Sequence, residues 1–109
     1  MALRAFGLDK VKARQASGER LYHEFLRVPA MSAGLYVLKA EAVDPQKPHD
    51  EDEIYVVMSG RGQFTCEGET IKVEPGQTIY VPAHDVHRFH DITQDLNLLV
   101  IFAPAGVDK

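Results

Sequence analysis

The sequence contains no tryptophan and a single cysteine, Cys66, among 109 residues. One thiol cannot close an internal disulfide or build a cysteine-rich zinc site, and it fits a reducing, cytoplasmic setting. An excess of basic charge is missing too. Twelve Lys and Arg stand against sixteen Asp and Glu, a net charge of −4, so no positive field is available to hold a phosphate backbone, and no nucleic-acid partner is expected. Long hydrophobic runs are absent as well. Near the C-terminus, Leu98 to Ala103 is apolar throughout but far shorter than the ~20 residues that span a bilayer. The N-terminal stretch, with Arg4, Asp9, Lys10, Lys12 and Arg14, lacks the apolar core of a signal peptide, so no membrane partner is expected. Repeats and low-complexity segments are likewise lacking. What remains is a globular composition, 45% hydrophobic and 26% charged. A chain of this length buries about two thirds of its unfolded surface, enough for one core. It is too short for a Rossmann domain or an α/β barrel.

Residues 1–18 form an N-terminal segment in which Asp9 is placed to cap a short helix over Lys10 to Gln15. From residue 19 to 109 the pattern is that of one all-β domain. Short β-rich runs follow one another: Leu21 to Val28, Gly34 to Ala42, Glu53 to Met58, Gln63 to Cys66, Thr70 to Val73, Thr78 to Val81, Val86 to Ile92 and Leu96 to Phe102. No long helix intervenes, which predicts a sandwich or barrel. Turn chemistry separates the runs at Ser59-Gly60-Arg61-Gly62, Glu67-Gly68-Glu69 and Glu74-Pro75-Gly76, and predicts three consecutive hairpins. Thr70 to Glu74 alternates polar and apolar, giving one buried and one wet face. Leu98 to Phe102 is apolar on both, as expected of a strand that is covered on both sides or lies at an oligomer contact.

Two clusters could carry chemistry. In the first, His49 lies in a polar loop and Glu53 opens the next strand. One ion needs ligand atoms ~2 Å from itself, whereas four residues of straight strand cover ~13 Å. A turn through Asp50-Glu51-Asp52 would bring the pair together, with His49 ending one strand and Glu53 starting its neighbour; a solvated acidic turn with an incidental histidine is the plain alternative. The second cluster, Pro82 to Asp91, holds His84, His87 and His90, three of the chain's five histidines. In extended backbone His87 and Phe89 share one face and His90 points opposite, while His84 sits on a corner.

These residues resemble the small single-domain cupins. The first cupin motif runs glycine, five residues, His-x-His, three or four residues, Glu, six residues, Gly, and its later part is matched by His49, Glu53 and Gly60. The second runs glycine, five residues, Pro-x-Gly, two residues, His, three residues, Asn. Here it reads Gly76, Pro82-Ala83-His84, His87 and Asp91. The resemblance, spanning about Gly34 to Ala103, implies a double-stranded β-helix, or jelly-roll barrel, with one divalent ion (Fe, Mn, Ni or Zn). Lys47 replaces the family's first metal-binding histidine and, protonated, has no lone pair to give. The implied ligand set is then His49, Glu53 and His87, similar to a two-histidine, one-carboxylate facial triad.

Gln46 and Glu51 lie close enough in sequence to add a fourth oxygen, although Glu51 also reads as a solvated turn residue. Lys47, if inward, offers a cation to the pocket and is otherwise an ordinary exposed strand-end lysine, and Tyr55, Val57 and Phe89 are expected to wall the pocket. Tyr36, Phe64 and Tyr80 read as core or interface aromatics. The resemblance implies a metal-dependent enzyme, such as a dioxygenase or isomerase, acting on a small organic acid, phenol or sugar, with its catalytic residues unassigned. A non-catalytic small-molecule binding or sensing module with a structural or absent metal is the alternative. The expected partners are a small-molecule ligand and a second copy of the chain in a homodimer.

Overall fold

The computed structural model describes residues 3–107. Helix α1 (Leu8–Ser17) is followed by strands β1 (Tyr22–Val28), β2 (Met31–Leu38), β3 (Asp52–Cys66), β4 (Glu69–Val73), β5 (Thr78–Val81) and β6 (His87–Ala103). Asp9 is not the helix cap. Gly7 holds that position without a side-chain bond, and Asp9 sits in the first turn, where its charge still complements the helix dipole. Among the described residues no helix is long and apolar enough to cross a membrane.

All strand pairs are antiparallel, in the order β1-β2-β6-β3-β4, with β5 also paired to β3. The expected hairpin at Ser59 to Gly62 does not exist. β3 runs through it as a single strand, pairing β5 over Glu53 to Val56 and β4 over Gly62 to Cys66. β6 likewise joins two expected strands. It pairs the far half of β3 through His87 to Gln94, then the near half of β3 through Asn97 to Ala103 and Ser32 to Leu38 of β2 through Leu96 to Phe102. Three register shifts between Val57 and Gln63 let the two long strands bend together and curl the sheet into a jelly-roll barrel. Gly60 makes that bend. Its φ is +103°, and a Cβ there would run into the Asp95 carbonyl of β6. The glycines that looked like a turn are the pivot of a bulge.

The other two turns form, but only the first closes a hairpin: β4 and β5, on either side of the second, each pair with β3 and not with one another. Glu67 and Gly68, with φ of 48° and 82°, make a two-residue hairpin of the type that matches strand twist. Glu74 to Gln77 closes through Gln77 N–H donating to Glu74 O, with Gly76 at φ 92°. β4 is an edge strand, so of its alternating pair only Val73 is buried while Ile71 stays 39% exposed.

The core fills the barrel with Leu38, Tyr55, Val57, Phe64, Val81, Phe89, Ile92, Leu96 and Leu98 among others. α1 covers part of the outside, where Val11 packs on Leu35, Val37 and Phe25. Leu99 lines a groove with Phe6, Val11 and Phe25. The double-sided apolar run of β6 is thus explained on one face by the core and at Leu99 by the N-terminal segment.

Candidate metal centre

The irregular stretch from Lys39 to Glu51 carries His49, and hydrogen bonds to the β5–β6 corner hold it in place. His84 N–H donates to His49 O at 2.7 Å, and Ala83 N–H donates to Asp52 Oδ1 at 2.9 Å. His84 occupies the corner in a left-handed conformation (φ 73°), the geometry for which the family uses glycine. The bend through Asp50-Glu51-Asp52 is present, although His49 lies on loop backbone rather than at a strand end.

Glu53 and His87 point from β3 and β6 into the barrel, each with a side chain 1% exposed, and Glu53 Oε1 is 3.1 Å from His87 Nε2. His49 Nδ1 is 3.8 Å from the same oxygen. One ligand atom from each of the three lies within 4.8 Å of the others, so a single ion can be reached by all. His87 Nδ1 is 2.8 Å from the Asp85 carbonyl, which places the ring proton there and leaves the Nε2 lone pair facing Glu53. Burial pulls the His87 imidazole down, but the Glu53 carboxylate and the Asp85 carbonyl outweigh it and lift the group above its ordinary value. Ring packing fixes both imidazoles, His49 against Phe102 at 4.9 Å and His87 between Tyr55 and Phe64 at about 6 Å.

The donor set fits a divalent cation. Both oxygens of Glu53 and the Nε2 of His87 are buried without a partner in hydrogen-bonding geometry among the described residues. A buried carboxylate that faces only two imidazoles, with no well-formed hydrogen bond, is costly, and a cation at the shared point lowers that cost. Two neutral imidazoles and one carboxylate suit iron, manganese, nickel or zinc and leave coordination positions for oxygen ligands.

Beside the trio is a cavity of about 150 Å³ lined by Tyr22, Tyr36, Gln46, His49, Glu53, Val100 and Phe102. Its polar wall is built around buried Asp44. Asp44 Oδ1 accepts from Tyr36 OH (2.6 Å) and Gln46 N–H (3.2 Å), and Oδ2 accepts from Gln46 Nε2 (2.7 Å) and Phe89 N–H (2.9 Å). Tyr55 OH then donates to Gln46 Oε1 at 2.6 Å. Charge-assisted bonds of this kind hold the loop against the barrel. Burial first, then the neighbouring carboxylates, keeps the Tyr22, Tyr36 and Tyr55 phenols well above their usual range, so all three remain neutral donors.

Gln46 faces the cavity. Lys47 does not, and the pocket role is corrected to the exposed placement: Gln46 is turned inward and locked by Asp44 and Tyr55, while the Lys47 ammonium stays in water. Tyr55, Val57 and Phe89 are buried to within 1% but belong to the core beneath the cavity rather than to its lining. Glu51 is not a solvated turn residue. It is 8% exposed, and its carboxylate lies where a Cβ on Gly106 would fall. Tyr36 proves to be a pocket residue, and Tyr22, Asp44, Val100 and Phe102 were not singled out at all. Tyr22 and Tyr36 are directly paired across β1 and β2, but no pattern in the sequence gives that register.

A family model described as "Cupin domain" matches residues 34–102. An uncharacterized protein of Streptomyces coelicolor is 47% identical over 102 residues, covering 94% of this chain and 97% of its own length. KdgF from a Halomonas species superposes with a TM-score of 0.69 at 24% identity, over 76% of each chain. The DMSP lyase DddQ from Ruegeria pomeroyi superposes with a TM-score of 0.67 at 20% identity, over 75% of this chain and 42% of its own. At those identities the two structures are similar in fold alone.

Proposed function

This chain belongs to the cupin domain family, and from that premise we propose that it is a metal-dependent enzyme holding one divalent ion through His49, Glu53 and His87. The observation that supports this reading is the convergence of two imidazoles and a carboxylate from separate parts of the chain on one point beside a cavity. A divalent ion in such a setting polarises an oxygen ligand and lowers the pKa of a proton attached to it or alpha to it. The protein's own residues supply the rest. Asp85 fixes the His87 tautomer, Phe102 and Tyr55 orient the rings, and the Asp44 network keeps Gln46 and Tyr36 aimed into the cavity. The reaction falls among the proton transfers, isomerisations and oxygenations of small organic acids, phenols or sugars.

The test begins with untagged protein. Elemental analysis is expected to find about one transition metal per chain, or to show uptake to that level after incubation with zinc, manganese, nickel or iron, with His87→Ala losing it. Protein that contains no metal and takes none up overturns the reading.

A binding or sensing role is the second reading, favoured by the cavity's chemistry. Apart from the three candidate ligands, its polar lining is neutral phenol and amide, with no further acid or base. Turnover or oxygen consumption across a screen of small acids, phenols and sugars separates an enzyme from a binder.

A further inference from the structure

The polar groups on the cavity wall are unevenly used. Tyr36 OH and the Gln46 amide are committed to Asp44 and Tyr55. Tyr22 OH is buried in the same wall and has no hydrogen-bond partner among the described residues. Its position is built in rather than incidental. The ring stands edge-on to Tyr36 and Phe102, with centroids 6.4 and 6.2 Å away, and it occupies the space above Gly34 that a Cβ would fill. A buried hydroxyl held in that way is a donor waiting for an acceptor.

Coordination and size narrow the acceptor. No Lys or Arg lines the cavity, and the Glu53 and buried Asp44 carboxylates together balance a dication, so what draws an oxygen anion is not net charge but the ion's open coordination positions, with Tyr22 as the donor beside them. A volume of about 150 Å³ admits a short carbon chain with its oxygens. Val100 and Phe102 offer the carbon end an apolar wall. Resting on the metal-centre reading above, we infer that the site takes a small α-hydroxy or α-oxo carboxylate, one of whose oxygens accepts a hydrogen bond from Tyr22, making Tyr22 a specificity-determining residue.

The experiment uses the zinc-loaded full chain, with metal content measured before any ligand is added. Lactate and pyruvate are titrated by calorimetry, with glucose and phenol as comparisons, into the unaltered protein and into Tyr22→Phe, which keeps the ring and therefore its packing. The expected result is unchanged zinc content and melting temperature in Y22F, with about 10- to 100-fold weaker binding of the two acids. Equal affinity in both proteins overturns the inference. So does tighter binding of glucose or phenol than of the acids, or no binding of either acid by zinc-loaded protein. Failure to load zinc, or any of the other three metals, is seen before titration and overturns the metal centre itself, and the inference with it.

Discussion

Glu53 Oε1 stands 3.1 Å from His87 Nε2, with both side chains 1% exposed and neither atom in a well-formed hydrogen bond. Two groups so placed are a liability in the metal-free protein and become ligands when a cation is present. Stability and metal occupancy should therefore be linked.

At a metal concentration one hundred times the dissociation constant, binding adds about 2.7 kcal/mol to the folded state. For a domain of this size that is a rise in melting temperature of about 10 °C or more. Differential scanning calorimetry with zinc and then with a chelator is expected to show the rise and its reversal. Glu53→Gln removes the charged ligand and is expected to remain folded without responding to zinc.

Asp44 organises more of the cavity wall than any candidate ligand. Asp44→Ala leaves the Tyr36 hydroxyl, the Phe89 amide and the Gln46 side chain without their acceptor, at a cost of about 3–5 kcal/mol. Denaturant unfolding is expected to report that loss. Lys47→Ala, at an exposed position, stays within about 0.5 kcal/mol of the unaltered protein.

Gly34→Ala places a methyl group where the Tyr22 ring lies. It is expected to lower the melting temperature, as overpacking does, by about 1–3 kcal/mol of stability, and to weaken lactate and pyruvate binding by displacing the hydroxyl. Tyr22→Phe shares only the second effect. Paired melting and binding measurements on the two variants distinguish a lost donor from a moved ring.

Tyr22, Tyr36 and Tyr55 have phenols raised first by burial. In the unfolded chain they titrate near 10, so the folded state retains protons that the unfolded one gives up. Stability is untouched below about pH 10 and falls as the pH rises above it. Absorbance at 295 nm is expected to show exposed Tyr80 ionising first, with the other three ionising only as the barrel opens.

The β-rich runs, two of the three turns and both metal-ligand clusters are legible in the sequence, because each is a local statement. Alternation is set by strand geometry, turn glycines by backbone dihedrals, and a histidine or carboxylate by its donor atoms. The turn expected at Ser59 to Gly62 does not form, for a physical reason. Glycine marks positive φ and close approach, and at Gly60 those properties serve a bulge that lets β3 continue past the Asp95 carbonyl.

Local sequence supplies the chemistry on offer: an all-β chain with two imidazoles and a carboxylate in two short motifs, and Lys47 where a third histidine would complete the set. The shape of the site comes from long-range contacts. The 39–51 stretch has no periodicity, so which of its side chains turn inward depends on bonds to distant partners: Gln46 in, Lys47 out, Asp44 buried beneath them. Tyr22 reaches the cavity through its pairing with β2 and the missing side chain of Gly34, a relation between strands that no single segment encodes.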